Sequence, residues 1–108
     1  MHILHITSRA DWRTALEDGA YRAASLQTEG FIHCSRPDQV ASVANALYAG
    51  QTNLVLLHID PDLLQSELRW EAVAGDEFPH VYGPINLGAV LDVTAFAPAG
   101  DGRFHYPV

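Results

Sequence analysis

Gly30-Phe31-Ile32-His33-Cys34-Ser35 is the stretch on which the reading of this chain turns. It is a short apolar run with a histidine in the middle and a serine at its end. Phe31, Ile32 and the small residues beside them suit a buried strand. Side chains alternate along a strand, so Phe31, His33 and Ser35 share one face, and Ile32 and Cys34 share the other. An imidazole on an apolar strand must find a partner. Ser35, with Asp38 three residues on, reads as the cap of a following helix. A histidine beside a helix start suits the handling of an anionic or polar ligand. The plain alternative is a core histidine bonded to a backbone carbonyl.

Working outward, Ile3 to Thr7 alternates as a first strand, and Ser8 with Asp11 resembles a capping box. The helix it opens carries Trp12, Ala15 and Leu16 on one stripe and stops at Gly19. Ala20 to Leu26 reads as a short extended piece, and Glu29-Gly30 turns the chain into the central strand. Val40, Val43, Ala44 and Leu47 fall at the i, i+3, i+4, i+7 spacing of a second amphipathic helix, closed by Gly50.

Leu54 to Ile59 is a nearly continuous apolar run, the mark of a strand in the middle of a sheet. Asp60-Pro61 opens one helical turn through Leu64. Leu68 to Val73 reads as a strand and Ala74 to Glu77 as a polar turn. Phe78 to Ile85, with prolines near both ends, is confined to a short strand or an irregular loop. Val90 to Phe96 is a last strand. The spacing therefore predicts an α+β class: a small single domain over residues 1–97, with two packed mixed or antiparallel sheets and two main helices. Residues 98–108 read as a loose C-terminal tail into which Phe104 and Tyr106 can tuck back.

The 108 residues carry a net charge of −7, and all six basic residues are arginines. Such a charge repels nucleic-acid phosphates, which argues against non-specific nucleic-acid binding. Without lysine, Schiff-base and P-loop chemistry are excluded. The charge leaves room for a small anionic ligand held by a local arginine or a helix end. No run approaches the roughly 20 apolar residues of a membrane span. The lone Cys34 and the lack of a secretory pattern at the N-terminus point to the cytoplasm.

Four places carry candidate chemistry. His5, followed by Thr7, lies on the first strand and otherwise reads as an exposed or edge-strand histidine. His33 lies with Ser35. Glu71, beside Trp70, is a candidate general base or acceptor for a ribose hydroxyl; the plain alternative leaves Glu71 on a solvated face while Trp70 fills the core. Finally, His80 and Tyr82 lie in a proline-bounded aromatic segment that suits stacking against a ring-containing ligand. The histidines show no metal-ligand spacing, so no metal residue is assigned. Neither Gly-x-Ser-x-Gly nor Gly-x-Gly-x-x-Gly occurs.

Trp12, Gly19, the Gly30–Ser35 block, Gln39, Leu54 to Leu57, Trp70-Glu71 and the Phe78–Ile85 block together resemble DUF952, a bacterial family of unknown function. The resemblance runs from Ile3 to about Phe96. It implies a remote similarity to the ADP-ribosyltransferase-like fold, which takes NAD in a cleft between two small sheets. By that resemblance His5 and Thr7 correspond to the first-strand element that contacts the nicotinamide ribose or amide. His33 matches a second core-strand position, and either Glu71 or the His80 loop fills a third, ribose-orienting role. The expected catalytic set is thus His33, Glu71 and His80, with His5, Thr7, Ser35 and Tyr82 binding the nucleotide. The resemblance makes a small-molecule or nucleotide ligand the expected partner. The alternative is a non-catalytic ligand-binding or interaction module in which the histidines serve structure; a metal-dependent hydrolase stands third.

Overall fold

Where a strand is apolar on both faces it must be covered on both, and Leu54–Ile59 dictates the architecture in this way. In the computed structural model, which describes residues 2–107, the chain runs β1 (Ile3–Ser8), α1 (Arg9–Asp18), β2 (Ala20–Tyr21), α2 (Ala24–Thr28), β3 (Ile32–His33), α3 (Val40–Leu47), β4 (Leu54–Ile59), β5 (Glu67–Val73), β6 (Asp76–Tyr82), β7 (Ile85–Asn86) and β8 (Val90–Phe96). β4 is the middle strand of a sheet ordered β1-β4-β8. Ile3, Val55, Leu57 and Ile59 enter one core cluster, with Ile32 and Val81 of the opposing sheet. Leu4, Ile6, Leu54 and Leu56 enter the other, beneath Val40 and Ala44 of α3 and Phe104 near the C-terminus.

The α+β class is as expected, with two corrections. Among the described residues there are three sheets rather than two, ordered β1-β4-β8, β2-β7 and β3-β6-β5, and every strand pair is antiparallel. Ala20-Tyr21 is extended as expected, but a third helix, α2, begins at Ala24 where that piece was read as running on to Leu26. The helix cap at Ser8 forms as read: its hydroxyl accepts from the Asp11 N–H at 3.0 Å, and Gly19 ends α1 at φ 86°.

The Gly30–Ser35 stretch behaves differently from a central strand. Only Ile32 and His33 pair with β6, opposite Val81 and His80, at the edge of the third sheet. The Cys34 N–H then donates to the Pro79 carbonyl, and Ser35 exchanges two 2.8 Å bonds with Leu4 of β1. The segment thus hands its backbone from one sheet to the other and stitches the two together. Its alternation holds: Ile32 and Cys34 are buried while His33 points outward, its side chain half-exposed. His33 is therefore neither a core histidine nor bonded to a carbonyl.

Ser35 does not cap a helix either. α3 begins only at Val40, and it is the Gln39 side chain that accepts from the Arg36 N–H at 2.9 Å. The same amide donates to Asp76 and to the Glu77 carbonyl, tying this loop to the tip of the β5–β6 hairpin, while Asp38 pairs with Arg36.

The segment around His80, confined by its prolines to a short strand or loop, is the seven-residue strand β6 at the centre of its sheet. Pro79 is tolerated there for a geometric reason. Its carbonyl accepts from Cys34, so its nitrogen faces that side too, just past the end of β3 and away from β5. No ladder bond to β5 is lost. Trp70 does not fill the core; it is 38% exposed on β5. At the C-terminus Phe104 is fully buried, and both its backbone groups are bonded by the Asn45 side chain at 2.8 and 3.0 Å. No helix among the described residues is long and apolar enough to cross a membrane.

Candidate functional site

β1 is an edge strand, and a cleft of about 580 Å³ opens beside it. Among the described residues one isolated bridge, Leu4–Ser35, ties the first sheet to the chain leaving the third. Leu4 turns its N–H and C=O away from β4 to make that bridge, and residues two apart on a strand face the same way. Ile6 therefore also presents its N–H and C=O outward. Neither has a backbone partner among the described residues, and Ile6 lines the cleft.

Five of the seven residues read from the sequence, His5, Thr7, His33, Ser35 and His80, line this cleft. Glu71 and Tyr82 do not; they lie behind His80. His5 lies on this edge strand, as one alternative had it, but it is buried rather than exposed. Its Nδ1 lies 2.5 Å from the His33 carbonyl and its Nε2 2.8 Å from the Tyr21 hydroxyl. Burial pushes its pKa down to about 4, against the raising effect of the carbonyl bond. The ring is thus neutral near pH 7. A carbonyl only accepts, so Nδ1 carries the proton and Nε2 accepts from Tyr21. The Tyr21 oxygen, 3.0 Å from Thr7 Oγ1, then takes the Thr7 proton. Burial in this relay pushes the Tyr21 phenol up to about 12. The core histidine with a carbonyl partner exists, but it is His5 rather than His33.

On the outward face of the β3-β6-β5 sheet the alternation of β6 sets Phe78, His80 and Tyr82 in a row. Cross-strand register places Glu71 opposite Phe78, diagonal to His80. Glu71 Oε1 accepts from His80 Nδ1 at 2.9 Å and from the Tyr82 hydroxyl. These two bonds, Tyr82 first, hold the Glu71 carboxyl below its usual range, so it stays ionised. Glu71 and the His80 loop, alternatives for one role in the sequence reading, are therefore a single hydrogen-bonded unit. With Nδ1–H committed to Glu71, the remaining ring nitrogen of His80, Nε2, has no partner among the described residues. Phe31 stacks on the His80 ring at 4.2 Å between centroids. His33 meets it edge-on at 5.2 Å and pairs with Glu29 at 3.0 Å.

Ser35 is held by its backbone, and its hydroxyl makes no hydrogen bond among the described residues. Sequence reasoning missed Tyr21, the Ile6 backbone and the Phe31 stack. The Gly19 stop just before Ala20-Tyr21 was the one local sign that Tyr21 returns toward β1. No three histidine, cysteine or carboxylate side chains among the described residues converge so as to hold a metal ion.

The family described as "Protein of unknown function (DUF952)" matches residues 6–93. Among solved structures, the crystal structure of protein CC0527 from Caulobacter crescentus is 34% identical, with a TM-score of 0.89 over 97% of this chain and 94% of that one. The solution NMR structure of CC0527 is 36% identical, with a TM-score of 0.82 over 94% and 90% of the two chains. No curated protein matches.

Proposed function

The chain belongs to the DUF952 family, and from the geometry of its cleft we propose that it binds a small nucleoside-type ligand bearing a primary carboxamide, with NAD as the ligand that the resemblance to the ADP-ribosyltransferase-like fold implies. One observation carries the reading: the outer edge of β1 is open at Ile6, one step beyond the Leu4–Ser35 bridge. An N–H and a C=O side by side on a strand edge match the C=O and NH₂ of a carboxamide, as a paired strand would. The cleft volume of about 580 Å³ falls within the range of small-ligand sites, roughly 300–1,000 Å³. The free Ser35 hydroxyl suits a ribose hydroxyl.

The chemistry falls to His80. Its Nε2 takes the proton of an acceptor hydroxyl or water, whose oxygen then bonds to ribose C1′. The C1′–N bond breaks, and its electron pair returns to the pyridinium ring, which leaves as neutral nicotinamide. Glu71 stabilises the imidazolium so formed, and Tyr82 keeps Glu71 ionised. His5 and Thr7, with their polar atoms engaged by Tyr21 and the His33 carbonyl, position β1 and β3 rather than touch ligand.

An amide NMR titration with NAD and with nicotinamide riboside tests this. The Ile6 amide and the His80 ring should shift at millimolar ligand, and free nicotinamide should accumulate. His80→Ala should keep the Ile6 shift and slow nicotinamide release by about 10²–10⁴-fold. If neither ligand moves Ile6, the proposal is wrong. A second reading, a non-catalytic ligand-binding or interaction module with structural histidines, is favoured by the complete satisfaction of His5. Under it the shifts appear without nicotinamide.

A further inference from the structure

The walls of the cleft carry a second kind of information, their charge. None of the six arginines lines it, and the chain has no lysine. Arg36 is committed to Asp38 and Asp76, and Arg69 is paired with Glu67 and laid over the Tyr82 ring. The charged side chain in the wall is instead a carboxylate, Asp11, in the first turn of α1. There it occupies the positive end of the helix, the place where a phosphate would otherwise be favoured. A second carboxylate, Glu71, stands ionised behind His80. The remaining lining is largely aromatic and aliphatic, with Tyr48 and Phe78 among it.

We infer that the cleft takes the unphosphorylated ring-and-sugar part of its ligand, neutral or cationic, and holds phosphate groups outside. This rests on the proposed reading of the cleft as a nucleoside site and narrows its substrate class. Among the described residues no arginine stands in the wall to meet a phosphate, which faces Asp11 there. A pyridinium ring meets aromatic faces and the field of two carboxylates, both attractive to a cation. For a dinucleotide such as NAD, the nicotinamide riboside half enters and the diphosphate lies in the mouth.

The test compares two probes that differ by one phosphate, nicotinamide riboside and nicotinamide mononucleotide, titrated at pH 8 and followed by the Ile6 amide shift. The riboside should bind at least about tenfold more tightly than the mononucleotide. Asp11→Asn keeps the backbone N–H that caps on Ser8 and removes the charge. It should narrow that gap about threefold or more. Equal affinity for the two probes, or a gap unmoved in Asp11→Asn, overturns the inference and leaves the cleft a nucleoside site. If neither probe binds, the reading of the cleft and the inference fall together.

Discussion

Six histidines look alike in the sequence, and what separates them is the partner each ring nitrogen meets. His5 is buried with both nitrogens bonded, and burial pushes its pKa from the ordinary 6.5 down to about 4. Between those values the unfolded chain binds the extra proton and the folded chain does not. The contribution of this neutral ring is therefore complete above pH 6.5 and is lost as pH falls toward 4, by about 3 kcal/mol in all. His5→Gln should be less stable near pH 7 by about 1–3 kcal/mol, because Tyr21 and the His33 carbonyl lose well-placed partners. Its denaturation midpoint should also fall less steeply than that of the natural chain between pH 6.5 and 4. Parallel slopes would mean that His5 takes up its proton while folded. For Tyr82→Phe the expectation is electrostatic. Loss of the phenolic donor should raise the Glu71 pKa toward the ordinary carboxylate range, read from its carboxyl ¹³C shift against pH. An unmoved titration would show that His80 alone holds the charge. From the sequence, His5, His33, Glu71 and His80 were legible as candidates, and the structure brings the three histidines to one cleft. The Glu71–His80 bond was not, since it depends on a diagonal register between two strands.

Among the elements, those that bury a whole face were legible, and those defined by a few backbone bonds were not. β4 emerges at its read bounds because a continuous apolar run has few other fates. α2 has one turn, no side-chain cap at Ala23 and no apolar stripe, so nothing in Ala24–Thr28 announces it. β3 was read too long because alternation shows which side chains go inward, and not which sheet the backbone joins. β6 was read too short because Pro79 looks like a breaker until the side it faces is known. The β5–β6 hairpin makes a further prediction. Its turn is two residues, with Ala74 at φ 52° and Gly75 at φ 85°, both in the left-handed region. That geometry favours Asn-Gly, and an alanine there is strained by its Cβ. Ala74→Asn should raise stability by about 0.5–1 kcal/mol, seen as a higher denaturant midpoint at an unchanged slope. A lower midpoint would mean that the side chain at this position makes a contact that offsets the strain.

At the scale of the whole molecule, the first sheet is a wall between two cores, and each has its own lid. On the side facing the third sheet the lid is Ile32 and Val81, which also bring His33 and His80 to the cleft. On the other side it is α3 together with the C-terminal segment, through Phe104 packed on Phe96 at 4.9 Å between centroids. Residues 98–108 read from composition as loose, because they are rich in Gly, Pro and Asp, and two aromatic side chains, Phe104 and Tyr106, give no periodicity. The Asn45 side chain supplies what periodicity cannot, two bonds that fix the Phe104 backbone as a strand neighbour would. Phe104→Ala should therefore cost about 3–5 kcal/mol, a large share of the roughly 5–15 kcal/mol available to a domain. Its effect should reach the cleft, because Leu4 and Ile6 pack in the same core and their backbones form the bridge and the open edge. Amide exchange at Leu4 and Ser35 should accelerate in the variant while the Glu71–His80 side of the third sheet keeps its protection. If Phe104→Ala unfolds within about 1 kcal/mol of the natural chain, α3 alone closes the second core and the C-terminal segment merely rests on it.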